Sequence, residues 1–536
     1  MLVMRLAWVW VVVVVVAAAG CGPGGERECT AKTTDLTSDP RNCGVCGNAC
    51  GDGNACIGSR CIQGACQPGA VEDCYTGAEG TMGVGPCVGG KRTCGPAGVW
   101  SACEGQVVPV AEDCGDGVDN NCNGMVDEDV DLDGDGFTTC GVPGVTPPDC
   151  CDSTECSKPA LVNGGAFDAP GNGIDDDCNG VIDDTVLLCD QDIPSNTTSG
   201  MDFARAIDLC QTAADGDKKW GVIDAKITLA DGTGVPDKEA YAVRPRFGGG
   251  VIPQGGVNLA IISSGGAAAK VDTDPSYHPW VSYTHAGTQT CNTTPNTQCS
   301  SIPDDFLAAN GGVLPNAPGC PTPSAARAED PVMLTFRIRV PTNARSFKLS
   351  IDFFSAEFPE WTCSSFNDFF VVLLDSTYDG TPRNPSDKNL AFFQPMGSTE
   401  KFPVGVNLAY GNTGLFTQCV NGTTGCSGVP GMITSCVGTE HLAGTGFDDP
   451  LAGSCNASSL NGGATGWLVT SGNVKPGEIM TLRIAIWDTS DHLFDSLAVI
   501  DGFAWSTEVA QPGTVIYASP AQPLRPTPVT AHAPRR

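Results

Sequence analysis

The sequence has few histidines and few basic residues. Five histidines and 29 Lys and Arg residues stand beside 61 Asp and Glu residues, which gives a formal net charge of -32 at pH 7. A potential of this sign repels nucleic acid and anionic membrane surfaces, and it attracts cations. We therefore expect no nucleic-acid partner, and we expect divalent cations among the ligands of the protein.

Sequence signatures of common enzymes are also missing. The chain has no G-x-S-x-G, no H-E-x-x-H and no glycine-rich phosphate loop that ends in Lys and Ser or Thr. His492 stands beside Asp491 and could act as a base, but no nucleophile motif accompanies it. We predict that the protein is not an enzyme. Because glycosidases need only two carboxylates, a glycan-binding or hydrolytic domain stays open as an alternative.

Cysteine, by contrast, is abundant, and it indicates export. The 29 cysteines would need many zinc sites in a reducing compartment, and five histidines give little help. Residues 1–20 carry a positive charge at Arg5, an apolar run over Leu6–Ala19, and small residues before Cys21. A transmembrane anchor is the alternative, but it requires about 20 apolar residues, which is more than this run provides.

Residues 1–20 resemble a bacterial lipoprotein signal peptide. The resemblance implies a lipid on Cys21 and a membrane partner through that lipid. It also implies a location in the cell envelope, at the outer membrane or the cell surface. The other 28 cysteines fall into even sets, twenty within residues 29–210 and eight within 291–455, which indicates intramolecular disulfides.

Residues 21–110 contain many cysteines and few large apolar residues. We predict disulfide-stabilised modules here, because such loops cannot bury enough apolar surface to offset chain entropy. We interpret the C-x-x-C pair Cys43 and Cys46 as structural, rather than as a redox centre or half of a zinc site. The stretches 74–77, 83–87, 90–94 and 100–103 resemble the cysteine-rich stalks of myxobacterial surface lipoproteins. In those proteins the stalks precede metal-binding repeats.

Residues 111–192 are strongly acidic. They hold 21 Asp or Glu residues and one basic residue, Lys158, so they would repel one another without a counterion. An internal repeat explains the pattern, since residues 116–128 recur as residues 172–184. Both copies match the D-x-[DN]-x-[DN]-G spacing, in which ligands at positions 1, 3 and 5 converge on one hard cation. A third run of this spacing occupies residues 131–137.

The expected ligands in this segment are carboxylate and carboxamide oxygens. Position 12, a bidentate Glu in EF-hands, is Val130, Val142 or Val186 here, so further oxygens must come from Asp149 and Asp152. The alternative is a set of Asx-rich turns held by disulfides without metal. We favour metal, because the excess carboxylate charge needs a counterion. The candidate ligands are Asp119, Asn121, Asn123, Asp127, Asp131, Asp133, Asp135, Asp149, Asp152, Asp175, Asp177, Asn179 and Asp183.

The acidic repeats resemble a family of metal-binding repeats that includes a copper-binding surface protein of methanotrophs. The resemblance implies copper as a ligand. The residues themselves favour Ca²⁺, since residues 22–200 contain no histidine and hard oxygen donors suit Ca²⁺ better than copper. We therefore expect Ca²⁺ as the cofactor and retain a copper-binding surface protein as the second alternative.

From about residue 193 the cysteines become fewer and alternating apolar runs appear. Residues 201–212 have the apolar spacing of a short helix. Strand-like runs follow at 220–229, 257–263, 332–340, 346–354, 368–374, 480–487 and 497–503. They predict an antiparallel β-sandwich over 193–509, followed by a disordered Pro-rich tail over 510–536. The predicted fold class is therefore mainly β: cysteine-rich loop modules, Ca²⁺-binding-type acidic loops, then the sandwich.

Four parts of this region are more specific than ordinary β-sequence. They are NLAIISSG at 258–265, DFFSAEFPE at 352–360, SSFNDFF at 364–370, and DTSD at 488–491 with Asp495, Ser496 and Asp501. They are similar to the choice-of-anchor L domain of secreted and surface-anchored bacterial proteins, which implies architecture and location rather than an activity. Oxygen-bearing side chains at the ends of predicted strands form a second candidate metal site, with Asp-capped turns as the alternative. This site comprises Glu357, Asn367, Asp368, Asp488, Asp491 and Asp495.

Together these features predict a lipid-anchored cell-surface protein that binds divalent cations and serves adhesion or surface structure. Its sandwich would contact a polysaccharide or another surface protein. The expected segments are the signal peptide 1–20, the cysteine-rich modules 21–110, the acidic repeats 111–192, the sandwich 193–509 and the tail 510–536.

Overall fold

The computed structural model describes residues 35–51, 54–63, 66–110, 112–127, 129–141, 146–152, 158–184, 188–280, 299–411, 413–420, 436–450 and 460–516. The predicted signal peptide, the predicted lipid site Cys21 and residues 517–536 lie outside this described part. The chain divides into two compact units, Met1–Asp127 and Glu128–Arg536. The division falls inside the acidic segment, so the ligand positions of the first repeat belong to the first unit and those of the second repeat to the second unit.

The first unit is built from two small hairpins and several disulfides. Its strands are β1 (Asn54–Ile57), β2 (Arg60–Gln63), β3 (Val71–Cys74) and β4 (Gly90–Thr93), paired β1 with β2 and β3 with β4. Its disulfides include Cys43–Cys56, Cys50–Cys61, Cys66–Cys94, Cys74–Cys103 and Cys87–Cys122. A buried cluster of cysteine side chains replaces an apolar core, which confirms the prediction of disulfide-bonded modules.

The C-x-x-C motif of this unit does not form a bond within itself. Cys43 pairs with Cys56, and Cys46 is also disulfide-bonded. A thioredoxin-like redox centre would join the two cysteines of one motif. These cysteines are therefore structural, as predicted.

The second unit is mainly antiparallel β-structure with short helices. The α-helices of its described residues are α1 (Gly200–Ala206) and α2 (Asp304–Ala309), and 3-10 turns cover Pro159–Leu161, Val406–Leu408 and Glu440–Leu442. Strands β5 to β11 are Gly221–Thr228, Tyr241–Arg244, Leu259–Ser263, Cys299–Ser300, Ala328–Arg339, Ser346–Ser355 and Phe369–Asp375. Strands β12 to β18 are Phe392–Phe393, Phe402–Pro403, Gly463–Ala464, Leu468–Asn473, Ile479–Asp488, Ser496–Ser506 and Gly513–Ile516. None of the helices in the described ranges has the length and apolar character of a membrane span.

Two antiparallel sheets form the sandwich. The larger sheet has the order β18-β15-β10-β17-β7-β6, with β14 paired to β10, and the smaller has the order β11-β16-β9-β5, with β8 paired to β9. Strands β12 and β13 make a separate small ribbon. Neighbours such as β10 and β17 are far apart in sequence, which is typical of sandwich topologies. The predicted fold class is confirmed.

Apolar side chains fill both faces of the smaller sheet. Leu334 and Phe336 of β9 share the central core with Leu349 of β10, on the larger sheet. The intervening Met333 packs on the opposite face with Phe306 of α2. Where both faces are covered the sequence is a continuous apolar run, as in β11, whereas β9 alternates apolar and polar residues from Leu334 to Arg339.

Two boundaries differ from the sequence expectation. Helix α1 ends at Ala206 rather than near residue 212, because the chain turns at Asp208, where φ is 71°. Strand β18 lies inside the predicted tail 510–536 and pairs with β15. This strand is four residues long and its last two side chains are exposed, so its sequence has no clear strand periodicity.

An ion-pair network ties α2 to the outer face of the smaller sheet. Arg483 of β16 donates to the two carboxylate oxygens of Asp305 at 3.0 and 2.6 Å, and Nζ of Lys388 donates to Asp305 at 2.7 Å. The hydrogen bonds from Arg483 hold the pKa of Asp305 well below its ordinary value, and Lys388 adds to the shift. The charged form of Asp305 therefore stabilises the fold.

We expect Asp305→Asn to lower the free energy of unfolding by about 1–2 kcal/mol at neutral pH, between the values for exposed and buried ion pairs. A carboxylate with a lowered pKa contributes stability above its unfolded-state pKa, and loses it as the pH falls through its folded-state pKa. The difference from wild type should therefore narrow below about pH 4. Urea unfolding of wild type and Asp305→Asn, from neutral pH to below about pH 4, measures this difference in the free energy of unfolding. Asp304→Asn, at an exposed position, is the control. A difference that does not change with pH would contradict the ion-pair account.

Candidate metal centres

The two copies of the acidic repeat have nearly the same backbone. The central cysteines, Cys122 and Cys178, both have φ of 59°, and the position-9 residues Asp127 and Asp183 have φ of 52° and 51°. Positive φ is uncommon for residues with a side chain, so its recurrence at matched positions is specific. The internal repeat read in the sequence is therefore a repeat in structure.

Backbone amides hold the first ligand position of each repeat. The carboxylate of Asp119 accepts the N–H groups of Asn123 and Gly124 at 3.0 and 2.9 Å. In the second copy Asp175 accepts the equivalent N–H groups at 3.1 and 2.8 Å. Each carboxylate oxygen retains a further lone pair, so these loops fold as Asx turns and still present oxygens.

The other predicted ligands of the repeats also take part in turns. Asp127 accepts the N–H groups of Gly115 and Gly117, and Asp183 accepts those of Gly171 and Gly173, at or just before the start of each repeat. The side chains at positions 3 and 5 accept N–H groups two residues ahead. Among the described residues, the repeats do not bring three carboxylates together within 4.8 Å. The side chains at positions 3 and 5 are Asn121, Asn123, Asp177 and Asn179.

The third acidic run differs, because it gathers carboxylates from two segments. We call Asp131, Asp133, Asp135, Asp149 and Asp152 the acidic-run centre. Asp133 belongs to two groups of three, one with Asp131 and Asp152 and one with Asp135 and Asp149, and within each group a set of ligand oxygens lies within 4.8 Å. The structure thus places Asp149 and Asp152 beside the run whose missing ligands they were expected to supply.

Two oxygens of the acidic-run centre are buried without a hydrogen-bond partner. They are Oδ2 of Asp133 and Oδ2 of Asp149, and Asp149 is 2% exposed. Burial, followed by the charges of Asp135, Asp152 and Asp133, raises the pKa of Asp149 to about 7. A bound cation would supply a partner for each of these oxygens. It would also offset the cost of burying the carboxylate charges close together.

Local contacts fix the acidic-run centre. Asp131 folds the run by accepting the N–H groups of Gly134 and Gly136 at 2.7 and 3.0 Å. Asp152 accepts the Leu132 N–H at 2.5 Å and the Thr139 hydroxyl at 3.1 Å. The disulfide Cys150–Cys178 follows Asp149 directly and joins this loop to the second repeat. The carboxylates are therefore positioned before any ion binds.

The second candidate site lies at one end of the sandwich. Glu357 follows β10, Asp368 precedes β11, Asp488 ends β16 and Asp495 precedes β17. The register pairs the last residue of β10 with the first of β17, and the first of β11 with Trp487 of β16. These four strand ends therefore meet. We call Glu357, Asp368, Asp488 and Asp495, together with Asn367, the sandwich cluster.

Hydrogen bonds link members of the sandwich cluster across the two sheets. The Asp368 N–H donates to Oε2 of Glu357 at 3.3 Å, and the Ser496 hydroxyl donates to Oδ2 of Asp368 at 2.7 Å. The Thr489 hydroxyl donates to the carbonyl oxygen of Asn367 at 3.0 Å. The loops are thus ordered around the carboxylates.

Burial raises the pKa values of the cluster's carboxyl groups. The pKa of Asp488 is raised to about 8, first by burial and then by the charge of Asp330. Burial also raises the pKa values of Glu357, Asp368 and Asp495 well above their ordinary values, and the charge of Asp488 adds to each shift. Without a cation, this end of the sandwich therefore resists full ionisation.

Asp491 lies beside the sandwich cluster rather than within its buried part. It is half-buried, and its Oδ1 accepts the Leu493 N–H at 3.1 Å. The adjacent His492 does not pair with it; Nδ1 of His492 lies 2.5 Å from Oδ2 of Asp330. His492 also lies near Glu329 and Cys299, but Cys299 is disulfide-bonded and supplies no thiolate for zinc.

Sequence reasoning missed a third group of buried carboxylates. Asp190 is 1% and Asp501 is 0% exposed, and both accept N–H groups from residues 254–258. Burial, then the charge of Asp208, raises the pKa of Asp501 to about 8. The three carboxylates come from distant parts of the chain and share no motif. The pair Gly255–Gly256 is the one sequence signal, since a side chain there would overlap Asp208 or Asp190.

Comparison with protein families gives one match. Residues 106–128 and 158–184 match the family Cu-binding MopE, whose description is "Putative metal-binding motif". These segments contain the two copies of the repeat. We found no match among curated proteins and none among solved structures. The chain therefore carries a motif similar to that of the copper-binding surface protein family, which supports binding of metal ions.

Proposed function

We propose that the protein binds Ca²⁺ at the acidic-run centre and that the ion stiffens a lipid-anchored protein of the cell surface. The observation that carries the proposal is the convergence of Asp133, Asp135 and Asp149, whose ligand oxygens lie within 4.8 Å of one another. Two oxygens of the centre are buried without a hydrogen-bond partner. Carboxylates at this spacing, with six to eight oxygens to be filled by neighbours and water, suit Ca²⁺.

Copper is the second candidate ion, because two segments match a copper-binding family. The chemistry of the acidic-run centre favours Ca²⁺ over copper. Copper prefers imidazole or sulfur ligands, whereas the centre offers carboxylates, and the nearby Cys150, Cys151 and Cys178 are all disulfide-bonded. A hard oxygen site has little means to select copper over the far more abundant hard cations.

The remaining parts of the proposal concern location and role. The lipoprotein-like residues 1–20 and the disulfides support an exported, lipid-anchored protein, in which the disulfide-bonded modules and acidic repeats form a stalk. The sandwich would then serve adhesion or surface structure by contact with a polysaccharide or another surface protein. We assign no catalytic role.

Calcium titration of the full-length, chelator-treated protein tests the proposal. We expect calorimetric binding of Ca²⁺ with weaker Mg²⁺ binding, and a rise in Tm, since an ion that binds the folded form stabilises it by mass action. Asp149→Asn should weaken the Ca²⁺ site by at least about tenfold, because it removes one ligand charge. Asp231→Asn, whose carboxylate accepts hydrogen bonds from Thr233, is the matched control.

The same titration separates the two candidate ions. Tight Cu²⁺ binding that excess Ca²⁺ does not displace would replace calcium by copper in the proposal. Equal Ca²⁺ affinity in wild type and Asp149→Asn would mean that the acidic-run centre is not a Ca²⁺ site. In that case the segment is a set of Asx turns held by disulfides.

A further inference from the structure

We propose that the sandwich cluster holds a second, buried Ca²⁺ ion, independent of the acidic-run centre. Its carboxylates, Glu357, Asp368, Asp488 and Asp495, are each 1–2% exposed, and Asn367 is 2% exposed. The family match does not reach these residues, which lie 170 or more positions beyond its last residue. The proposal therefore assigns a site in the sandwich, which the family match does not cover.

The unpartnered oxygens of the cluster point to a ligand. Both carboxylate oxygens of Asp488, Oδ2 of Asp495 and Oδ1 of Asn367 are buried without a partner of hydrogen-bond geometry, and Asp488 lies beside Asp368 and Ser264. A buried polar atom without a partner costs about 1–3 kcal/mol, and more when it is charged. Four such atoms on three neighbouring side chains are costly unless one common partner serves them all.

The charges that act most strongly on the cluster are negative. They include the carboxylates of Asp330 and Asp491, and the imidazole of His492 acts on Asp488. The adjacent imidazole, His492, is engaged by Asp330 and Glu329. Within the described residues, these four buried carboxylates therefore have no ion pair with a basic side chain.

Protons alone are a poorer explanation than a cation. A proton on one carboxyl group serves one neighbouring oxygen, whereas an ion contacts several oxygens at once. Protonation of Asp488 also leaves the amide oxygen of Asn367 without a donor unless the two groups meet directly. Several oxygens of different side chains are left open at this end of the sandwich, and one cation can contact more than one of them.

Calcium fits the cluster better than other cations do. All donors are oxygen, which excludes soft ions, and the buried position leaves little room for the waters that Mg²⁺ retains. The cluster does not bring three carboxylate oxygens within 4.8 Å, as the acidic-run centre does. Ca²⁺ accepts such a set better than Mg²⁺ does, because its six to eight ligands are arranged flexibly and can include amide and carbonyl oxygens.

The fold explains what this ion would do. The cluster joins the ends of β10 and β17 in the larger sheet to those of β11 and β16 in the smaller sheet. An ion here would tie the two sheets together at one end. It would also order residues 489–495, the loop between β16 and β17, in which Ser490 and Phe494 have positive φ.

Terbium luminescence of the full-length protein tests the proposal directly. Tb³⁺ takes the oxygen ligands of Ca²⁺, and its emission is sensitised by a nearby tryptophan. Trp487 precedes Asp488, and Trp361 packs against Phe494, which precedes Asp495. We expect tryptophan-sensitised Tb³⁺ emission that Ca²⁺ displaces, with affinity reduced at least about tenfold in Asp488→Asn.

Controls separate this site from the acidic-run centre and from general damage to the fold. Asp149→Asn should leave the sensitised emission unchanged, whereas Asp488→Asn should leave the Asp149-dependent Ca²⁺ site unchanged. Asp352→Asn replaces an equally buried carboxylate elsewhere in β10 and should also leave the emission unchanged. If Asp488→Asn does not fold, Asp495→Asn serves in its place.

Either of two results would overturn the proposal. One is wild-type protein that gives no tryptophan-sensitised emission at Tb³⁺ concentrations that fill the acidic-run centre. The other is emission that survives both Asp488→Asn and Asp495→Asn with unchanged affinity. Neither result bears on the acidic-run centre, whose own test is the loss of a Ca²⁺ site in Asp149→Asn.

Discussion

Replacing His441 with alanine should lower the free energy of unfolding of the sandwich by about 3–5 kcal/mol, as when a buried charge loses its partner. Nδ1 of His441 lies 2.5 Å from Oδ2 of Asp352, a residue of β10 that is 0% exposed. Oδ1 of Asp352 accepts the Thr465 hydroxyl at 3.4 Å. Loss of the imidazole leaves the carboxylate in the core without a cation.

The pH dependence of this loss has a definite sign. Burial lowers the pKa of His441, but the hydrogen bond and the charge of Asp352 together raise it above its ordinary 6.5. While Asp352 is ionised, the contribution of His441 is therefore complete below 6.5, and it is lost as the pH rises through the raised value. In the variant, burial keeps the pKa of Asp352 raised, so stability falls as the pH rises above about 4.

Urea unfolding near pH 4, near pH 6 and at alkaline pH measures this effect. We expect a small difference between His441→Ala and wild type near pH 4, where Asp352 becomes protonated, the full difference near pH 6, and a smaller one at alkaline pH. His278→Ala is the matched control, because His278 pairs with Glu239 at 2.8 Å in a half-buried position. That change should cost no more than about 1 kcal/mol. Equal losses in the two variants would mean that burial of the pair is not what matters.

Removing the disulfide Cys150–Cys178 by paired serine substitution should destabilise the acidic segment by about 3–4 kcal/mol. The bond closes a loop with a sequence separation of 28, and the stabilisation by a disulfide grows with loop length. It also holds Asp149 beside the third acidic run. We therefore expect the Ca²⁺ affinity of the acidic-run centre to fall by at least about tenfold.

Calorimetry with Ca²⁺, together with limited proteolysis of residues 131–184, measures both effects. Paired serine substitution of Cys50–Cys61 is the control, because this disulfide lies in the first unit and has a sequence separation of 11. It should destabilise that unit and leave Ca²⁺ binding unchanged. Unchanged Ca²⁺ affinity after loss of Cys150–Cys178 would show that the carboxylates converge without the disulfide.

Much of the fold follows from sequence periodicity. The apolar runs at 332–340 and 346–354 are strands β9 and β10, because alternate side chains of each strand pack into the central core. Strand β18 could not be predicted, since its pairing with β15 rather than its composition makes it a strand. Neither strand order nor sheet membership can be read from periodicity, because both depend on contacts between distant segments.

The candidate sites also differ in how much of each could be predicted from the sequence. Regular spacing identified the two repeats and the third run, because each loop closes through its own backbone hydrogen bonds. The position of Asp149 beside Asp133 depends on the fold of the intervening chain. Asp190, Asp208 and Asp501 share no motif, since their meeting is a product of tertiary packing. The sequence therefore predicts ligand positions within one loop, but it does not predict which carboxylates from distant segments come together.

The position of β18 determines where this protein can be shortened safely. It forms one edge of the larger sheet and is the last described element of the chain. It covers one side of β15 through residues 468–471. Short edge strands of this kind protect a sheet from pairing with another chain. Proteolytic trimming upstream of Gly513 would therefore expose the edge of β15, which could then pair with another chain. A shortened sandwich should accordingly end after residue 516 rather than at residue 510, where the predicted Pro-rich tail begins.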